Sequence, residues 1–481
     1  MSKKKSRPIA LVTIEEIHSR SGFGVATWER ADGQECPVEV PFTLPGDVVS
    51  VEIGRRKRSY YQGRALDIVQ PATERSTPRC SHFGQCGGCR WQHMSYEEQR
   101  ERKQESINRL FSHLLCTHTL VEPIVACEPP WEYRNKMEFS FSEDAAGQRY
   151  LGLMMQGGRQ KVVNISECHL VKAWFSDALS ATRDWWTSSE LNAYHAYRDT
   201  GSLRTLTLRE AAHSGDRMAF LTVSGNADYA MPKDQLNLWI QSMIKAIEPA
   251  NGGRLSLFLR IQQIAKGQPT QFYEVHLYGP DSMRDTMQLQ VAEAEGMRSL
   301  HCKVSLSAFS QPNWRLASTL YNTALQMAPL QQINRVWDLY CGTGIFGLAC
   351  APFVQSVRGV EIVPEAVLDA RANAKINGLN HVQFTVGDVA KVLPVWMGES
   401  GRPDLVLVDP PRPGLEGDAL QLVASCNAPH LLYVSCNPTT QARDVEQLIE
   451  HGYRLNRMRA VDQFPQTVHV ENIAVLSKEE S

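Results

Sequence analysis

Cys436 sits in Ser435-Cys436-Asn437-Pro438, directly after the apolar run Leu431 to Val434, and a second apolar run, Leu405 to Val408, delivers Asp409-Pro410-Pro411-Arg412. A thiol beside a proline-containing turn at a strand end is placed to act as a nucleophile. Upstream, Val336-Trp337-Asp338-Leu339-Tyr340-Cys341-Gly342-Thr343-Gly344 reads as a strand running into glycines. Nucleophile and nucleotide-type cofactor loop are therefore expected on one sheet edge. That pairing predicts group transfer through a covalent intermediate.

The spacing Gly342-x-Gly344-x-x-Gly347 matches the dinucleotide fingerprint, and Glu361, roughly twenty residues on, is placed to bind ribose hydroxyls. Two features favour S-adenosylmethionine over a nicotinamide dinucleotide. Asp338 precedes the glycines, where a carboxylate faces the cationic amino-acid end of the former but repels a pyrophosphate. In addition, Gly387-Asp388 after the third strand and Asp409-Pro410-Pro411 after the fourth follow the order of methyltransferases. Enzymes that methylate the amino group of adenine place an aromatic after the proline pair, whereas here Arg412 follows. A cysteine instead suggests methylation at carbon. C5 of uracil is too weak a nucleophile until a thiolate adds to C6, and the C5 proton must then be removed by a base before the thiolate leaves. Cys436 supplies the thiol, and Glu471 in Val468-His469-Val470-Glu471 is the candidate base.

A second cluster is Cys80-x5-Cys86-Gly87-Gly88-Cys89, with Cys168 a candidate fourth ligand. One close pair, a looser third and a remote fourth suit a structural zinc or an iron-sulfur cube equally well by spacing alone. The Cys-x3-Cys-x2-Cys spacing of a radical S-adenosylmethionine cluster is not present.

These residues need elements to hold them. The chain of 481 residues has the length of about three domains. A formal net charge of -2 excludes a global polycation, so affinity for nucleic acid must come from local patches. Twelve cysteines, no signal-peptide core after the basic start Met1 to Arg7 and no apolar run of bilayer length predict a cytoplasmic protein without disulfides or membrane spans. Residues 8–70 read as short strands separated by Gly22, Gly24 and Pro45-Gly46, an OB-like β-barrel. Its tip, Arg55-Arg56-Lys57-Arg58-Ser59-Tyr60-Tyr61, suits phosphate and base stacking, and equally suits a solvated hairpin that keeps an edge strand soluble. Residues 71–305 form an α+β central domain containing the cysteine cluster and a charged helix from Tyr96 to about Leu115. Residues 306–481 alternate strand, glycine and helix, the pattern of a doubly wound α/β, Rossmann-like domain. The expected fold class is thus multi-domain: β-barrel, α+β domain with the cysteines, and C-terminal α/β domain.

The series Phe309-Ser310-Gln311-Pro312-Asn313, Asp338-Leu339-Tyr340-Cys341-Gly342-Thr343-Gly344, Asp409-Pro410-Pro411-Arg412-Pro413-Gly414, Ser435-Cys436-Asn437-Pro438 and Phe464-Pro465-Gln466-Thr467-Val468-His469-Val470-Glu471 resembles the motifs of the RNA uracil-5 methyltransferases. The resemblance implies that Gln311, Tyr340, Glu361 and Asp409 bind S-adenosylmethionine, with Asp388 at its adenine end. It also implies Cys436 as nucleophile and Glu471 as base. The ribosomal-RNA branch carries the same cysteine series, which implies a 4Fe-4S cluster on Cys80, Cys86, Cys89 and Cys168. Gly22-Phe23-Gly24-Val25-Ala26 and Leu44-Pro45-Gly46-Asp47 resemble the TRAM module. Together they imply a monomer that forms 5-methyluridine in 23S ribosomal RNA. The alternatives are a tRNA uracil-5 methyltransferase, a radical or sulfur-inserting tRNA modification enzyme, and a non-catalytic RNA-binding assembly factor.

Overall fold

The computed structural model describes residues 7–158, 161–264, 267–290, 297–308 and 310–478. Residues 1–6, at the basic start, and Phe309 of the first motif lie outside them. No helix among the described residues is long and apolar enough to cross a membrane.

The N-terminal strands are β1 (Ile9–Thr13), β2 (Glu16–Ile17), β3 (Gly24–Glu29), β4 (Glu35–Val40), β5 (Val48–Lys57) and β6 (Tyr60–Gln70), in the order β1-β5-β6-β4-β3-β2. Only Ile14 and Glu15 separate β1 from β2, yet these two strands pair with opposite edges of the sheet. One bent strand therefore closes the barrel and leaves no free edge, with a single parallel pair, β4 with β6. Alternation points Val12, Val38, Val40, Val49, Val51 and Ile53 into its core. At the β5–β6 turn Arg55, Arg56, Lys57 and Arg58 are exposed. Tyr60 and Tyr61 are not a free stacking pair, because they pack edge-on against His18 and Trp28 at 5.1 and 5.3 Å.

After the cysteine segment come α1 (Tyr96–Phe111) and β7 (Leu120–Val125). Ser95 caps α1 by accepting from the Glu98 amide, and Ile107 and Phe111 are buried at helical spacing. The central sheet consists of β8 (Lys136–Glu143), β9 (Arg149–Met154), β10 (Val162–Asn164), β11 (Leu203–Glu210), β12 (Arg217–Ser224), β13 (Leu255–Gln263) and β14 (Gln271–Tyr278), in the order β10-β9-β8-β11-β12-β13-β14. Its core is closed by α2 (Trp174–Thr187) and α3 (Lys233–Ala246), through Trp186, Trp239 and Met243. A hairpin of β15 (Met283–Gln290) and β16 (Met297–Val304) then leads to α4 (Trp314–Met327).

The C-terminal run is β17 (Arg335–Leu339), α5 (Ile345–Cys350), β18 (Ser356–Glu361), α6 (Pro364–Ile376) and β19 (Val382–Val386). It continues with α7 (Val389–Ser400), β20 (Leu405–Val408), α8 (Ala419–Ser425), β21 (His430–Ser435), α9 (Pro438–Glu450), β22 (Tyr453–Val461) and β23 (Glu471–Lys478). The sheet order is β19-β18-β17-β20-β21-β23-β22-β7. β17 to β21 are parallel, and β23 inserts antiparallel between β21 and β22. The order reverses between β17 and β20, which opens a crevice at their carboxyl ends.

Two segments expected in the 71–305 unit belong physically to this last layer. β7 is the edge strand beside β22, and Ile107 and Phe111 of α1 lie in the same apolar cluster as Trp337 and Tyr433. Met287, Leu289, Leu300 and Cys302 of the β15–β16 hairpin pack with α4 and α5. Sequence order misleads here because an edge strand is chosen by available backbone partners rather than by position in the chain.

Candidate active site and cysteine cavity

A cavity of 1080 Å³ opens at the β17–β20 crevice, and Gln311, Tyr340, Glu361, Asp388, Asp409, Cys436 and Glu471 all line it. The sequence scatters these seven residues along the C-terminal third of the chain, and the doubly wound sheet delivers them to one edge. Gly344 takes φ +79°, and a Cβ there would meet the Phe384 ring at 2.5 Å, so glycine is required twice over. Tyr340 itself is left-handed at φ +61°. Glu361 accepts from the Gly342 amide at 3.1 Å and the Val363 amide at 2.9 Å, which ties the end of β18 to the glycine loop. Asp388 caps α7 by accepting from the Ala390 amide at 2.8 Å. The Gln311 carbonyl accepts from Asn135 at 3.1 Å, linking the cavity wall to the central domain.

The cavity is acidic at depth. Burial pushes the Asp338 carboxyl up to about 8, with Asp409 and Glu361 adding repulsion, although the Gly347 amide donates to it at 2.9 Å. Burial alone raises Asp409 to about 7. Burial and then Asp409 raise Glu471 to about 8. Three carboxyl groups disfavoured in their charged forms make a pocket complementary to a cationic ligand.

Cys436 follows β21, and Glu471 opens β23. The antiparallel register ends with Ser435 opposite Asn472, and the residues just beyond that pair, Cys436 and Glu471, both line the cavity. The thiol is half-buried, and burial, Glu471 and Asp409 push it up to about 11, against a hydrogen bond and the positive charge of Arg412. Arg412 is thus the group that favours a thiolate here. His469 lines the same cavity. Burial holds its ring down at about 4, with Arg412 and Arg90 next, so it is neutral at physiological pH. Sequence reasoning gave neither Arg412 nor His469 a role, although both stand in the family motifs.

A second cavity, of 620 Å³, is lined by Cys80, Cys86, Cys89 and Cys168. The Gly88 amide donates to Cys86 Sγ at 3.4 Å, and the Gln92 side chain accepts from the Cys80 amide at 3.0 Å. Burial raises all four thiols, Cys86 to about 11 and Cys89 to about 12. His82 and Glu167 stand beside Cys80, the three offering ligand atoms within 4.8 Å of one another. Spacing arguments missed both, because neither lies in a paired-cysteine pattern. Arg134, Ser310 and Pro312 line both cavities.

The tRNA (uracil-5-)-methyltransferase family model matches residues 277–388 and 399–479. A Protochlamydia amoebophila protein described as an uncharacterized RNA methyltransferase is 48% identical over 442 residues, covering 92% of this chain and 100% of that relative. A Clostridium tetani protein of the same description is 31% identical, and all of each chain is covered. Among solved structures, the Pyrococcus abyssi tRNA (uracil-54, C5)-methyltransferase in complex with S-adenosyl-L-homocysteine superposes with a TM-score of 0.70 at 23% identity, covering 97% of this chain and 100% of that one, a likeness of fold. Sharing sequence with such relatives along nearly its whole length, the chain belongs to the RNA (uracil-5-)-methyltransferase family.

Proposed function

We propose that the chain forms 5-methyluridine in 23S ribosomal RNA, using S-adenosylmethionine and a covalent bond between Cys436 and uracil C6. The carrying observation is that Cys436, just after β21, and Glu471, at the start of β23, line one acidic cavity. In this reading Arg412 favours the thiolate, whose sulfur bonds to C6 while the C5–C6 π electrons move toward O4. S-Adenosylmethionine supplies the methyl group that C5 takes. Glu471 then accepts the C5 proton, the C5=C6 double bond re-forms, and the S–C6 bond breaks to return the thiolate. The target base must leave its stack to reach the thiol. Asp338 and Asp409 suit the cationic end of the methyl donor, Gln311 and Tyr340 the adjoining wall, Glu361 its ribose and Asp388 its adenine end. The raised carboxyl groups support this fit, since a sulfonium and an ammonium relieve their mutual repulsion.

The four cysteines suit a 4Fe-4S cluster. A single tetrahedral zinc with Zn–S of about 2.3 Å draws its sulfurs closer than about 4 Å to one another. The four cysteines instead line a 620 Å³ cavity, and the only set of three or more ligand atoms within 4.8 Å of one another among the described residues is that of Cys80, His82 and Glu167. With four thiolate ligands no iron is left open, so the group organises the fold and the RNA surface rather than reacting. Iron and acid-labile sulfide in anaerobically purified protein support this reading, and zinc alone overturns it.

The N-terminal barrel suits a TRAM-type RNA grip through Arg55, Arg56, Lys57 and Arg58, which have no ion pair among the described residues. Replacing two of these cations is expected to weaken RNA binding and reduce the slope of log affinity against log salt by about 0.7–0.9 for each phosphate no longer neutralised. An unchanged slope assigns the hairpin to solubility instead. The name of the matching family model favours tRNA as a second reading. Mapping 5-methyluridine in 23S ribosomal RNA and in tRNA from a strain lacking the gene separates the two, because only the true substrate loses its methyl group.

A further inference from the structure

The segment Asp462 to Val470, which carries His469 and leads into Glu471, is held largely by residues outside the C-terminal sheet. Gln466 is its keystone. This residue is buried and left-handed at φ +67°, a conformation that an L residue keeps only where its surroundings over-determine it. The constraints are explicit. The Gln466 carbonyl accepts from the Arg90 amide at 2.9 Å and the Trp91 amide at 3.2 Å, directly after Cys89. The Gln466 amide donates to Gln99 Oε1 at 2.8 Å, and Gln99 Nε2 donates back to Gln466 Oε1 at 3.0 Å. Gln99 Nε2, in α1, also lies 3.0 and 3.1 Å from the Trp91 and Met94 carbonyls, so three acceptors share its two hydrogens and tie helix, cysteine segment and loop together.

Neighbouring contacts repeat the pattern. Lys103 of α1, fully buried, donates to Asp462 at 2.6 Å and to the Phe464 carbonyl at 3.1 Å. The Tyr133 hydroxyl donates to the Pro465 carbonyl at 3.0 Å. From the barrel side, Gly22 leaves no room for a Cβ against Val468. Glu471 is the first residue of β23 and pairs with Val461 of β22, so the residues before it are the ones outside the ladder. Its approach from the N-terminal side is set by this clamp.

We infer that Gln466, clamped by Gln99 and by the Arg90–Trp91 amides, is a positioning residue for Glu471, so that the cysteine segment governs the proton-abstraction step. This rests on the assignment of Glu471 as the base. Gln99 and Gln466 neither line the cavity nor hydrogen-bond to Cys436 or Arg412, so loosening the clamp leaves the thiol and its guanidinium in place. Addition to the base and methylation therefore proceed, while removal of the C5 proton and release of the thiolate are slowed.

The test is a single-turnover quench on the full-length protein, following denaturation-resistant methylated protein–RNA adduct and free 5-methyluridine RNA separately. For Gln99→Met, which keeps the volume but breaks the amide pair, adduct formation is expected within about threefold of wild type and its resolution slowed by about 10²-fold, the scale of a small misplacement of a catalytic group. Gln466→Asn, which tolerates the left-handed conformation but is too short to reach Gln99, is expected to give the same partition. The double variant should be no worse than Gln99→Met alone, because the side-chain bond that Gln466→Asn breaks is one that Gln99→Met already removes. Cys89→Ser should also shift the partition toward adduct. If any of the folded variants loses adduct formation and resolution in equal measure, or only RNA affinity, the clamp is merely structural and the inference fails. If wild type gives no adduct even with 5-fluorouridine RNA, the covalent reading itself fails, which is a separate result.

Discussion

Cys436→Ala abolishes 5-methyluridine formation, a loss on the order of 10⁶-fold as for other deleted nucleophiles, while RNA binding stays at the wild-type level. The separation follows from the geometry. Arg55 to Arg58 lie at the β5–β6 turn of the barrel and do not line the cavity that holds Cys436, so the cationic surface survives the substitution. The covalent step does not, because among the described residues lining the cavity the one other thiol, Cys341, is buried and pushed far above its ordinary pKa by burial and by the Asp338 carboxyl. Turnover of the alanine variant near that of wild type, measured as methyl transfer to RNA, removes the nucleophile assignment altogether.

Glu471→Gln is expected to form adduct and to methylate it, then to stall. The glutamine amide has no basic oxygen with which to take the C5 proton, so resolution slows by about 10²–10⁴-fold, the usual contribution of a general base. A methylated protein–RNA band should accumulate on denaturing gels. Its absence, with product still released, assigns the base role to another group. The pH dependence carries a sign. A base acts ionised, and the Glu471 carboxyl is raised to about 8, so kcat of the wild type, which includes removal of the C5 proton, should climb with pH until about 8. The thiol, raised to about 11, adds in the same direction because more thiolate forms as pH rises. The glutamine variant loses the first component and keeps the second. His469, held neutral, adds no inflection near neutrality.

The sequence made the elements around the candidate site legible because they are written locally. A strand that ends in Asp338 and runs into Gly342 and Gly344, a helix that starts at Pro364 and ends before Gly378, and a thiol between an apolar run and Pro438 are short-range patterns set by backbone sterics and helix-end preferences. Barrel closure was half legible. Five strands with glycine turns could be counted, but that Ile14 and Glu15 bend one strand across both sheet edges is a fact of pairing.

What only the tertiary structure decided is who faces whom. Cys436 and Glu471 come to one cavity because β23 lies antiparallel between β21 and β22, a choice made by backbone hydrogen bonding that no local pattern records. Gln99 and Gln466 are 367 residues apart in the chain yet share two hydrogen bonds, and Lys103 finds Asp462 across 359. β7 leaves the central unit to edge the C-terminal sheet for the same reason. Residue type determines what a side chain can do, and types are read directly. Long-range partnership depends on the packing and pairing of the whole chain, and it is this partnership that turns a thiol and a carboxyl group into a site.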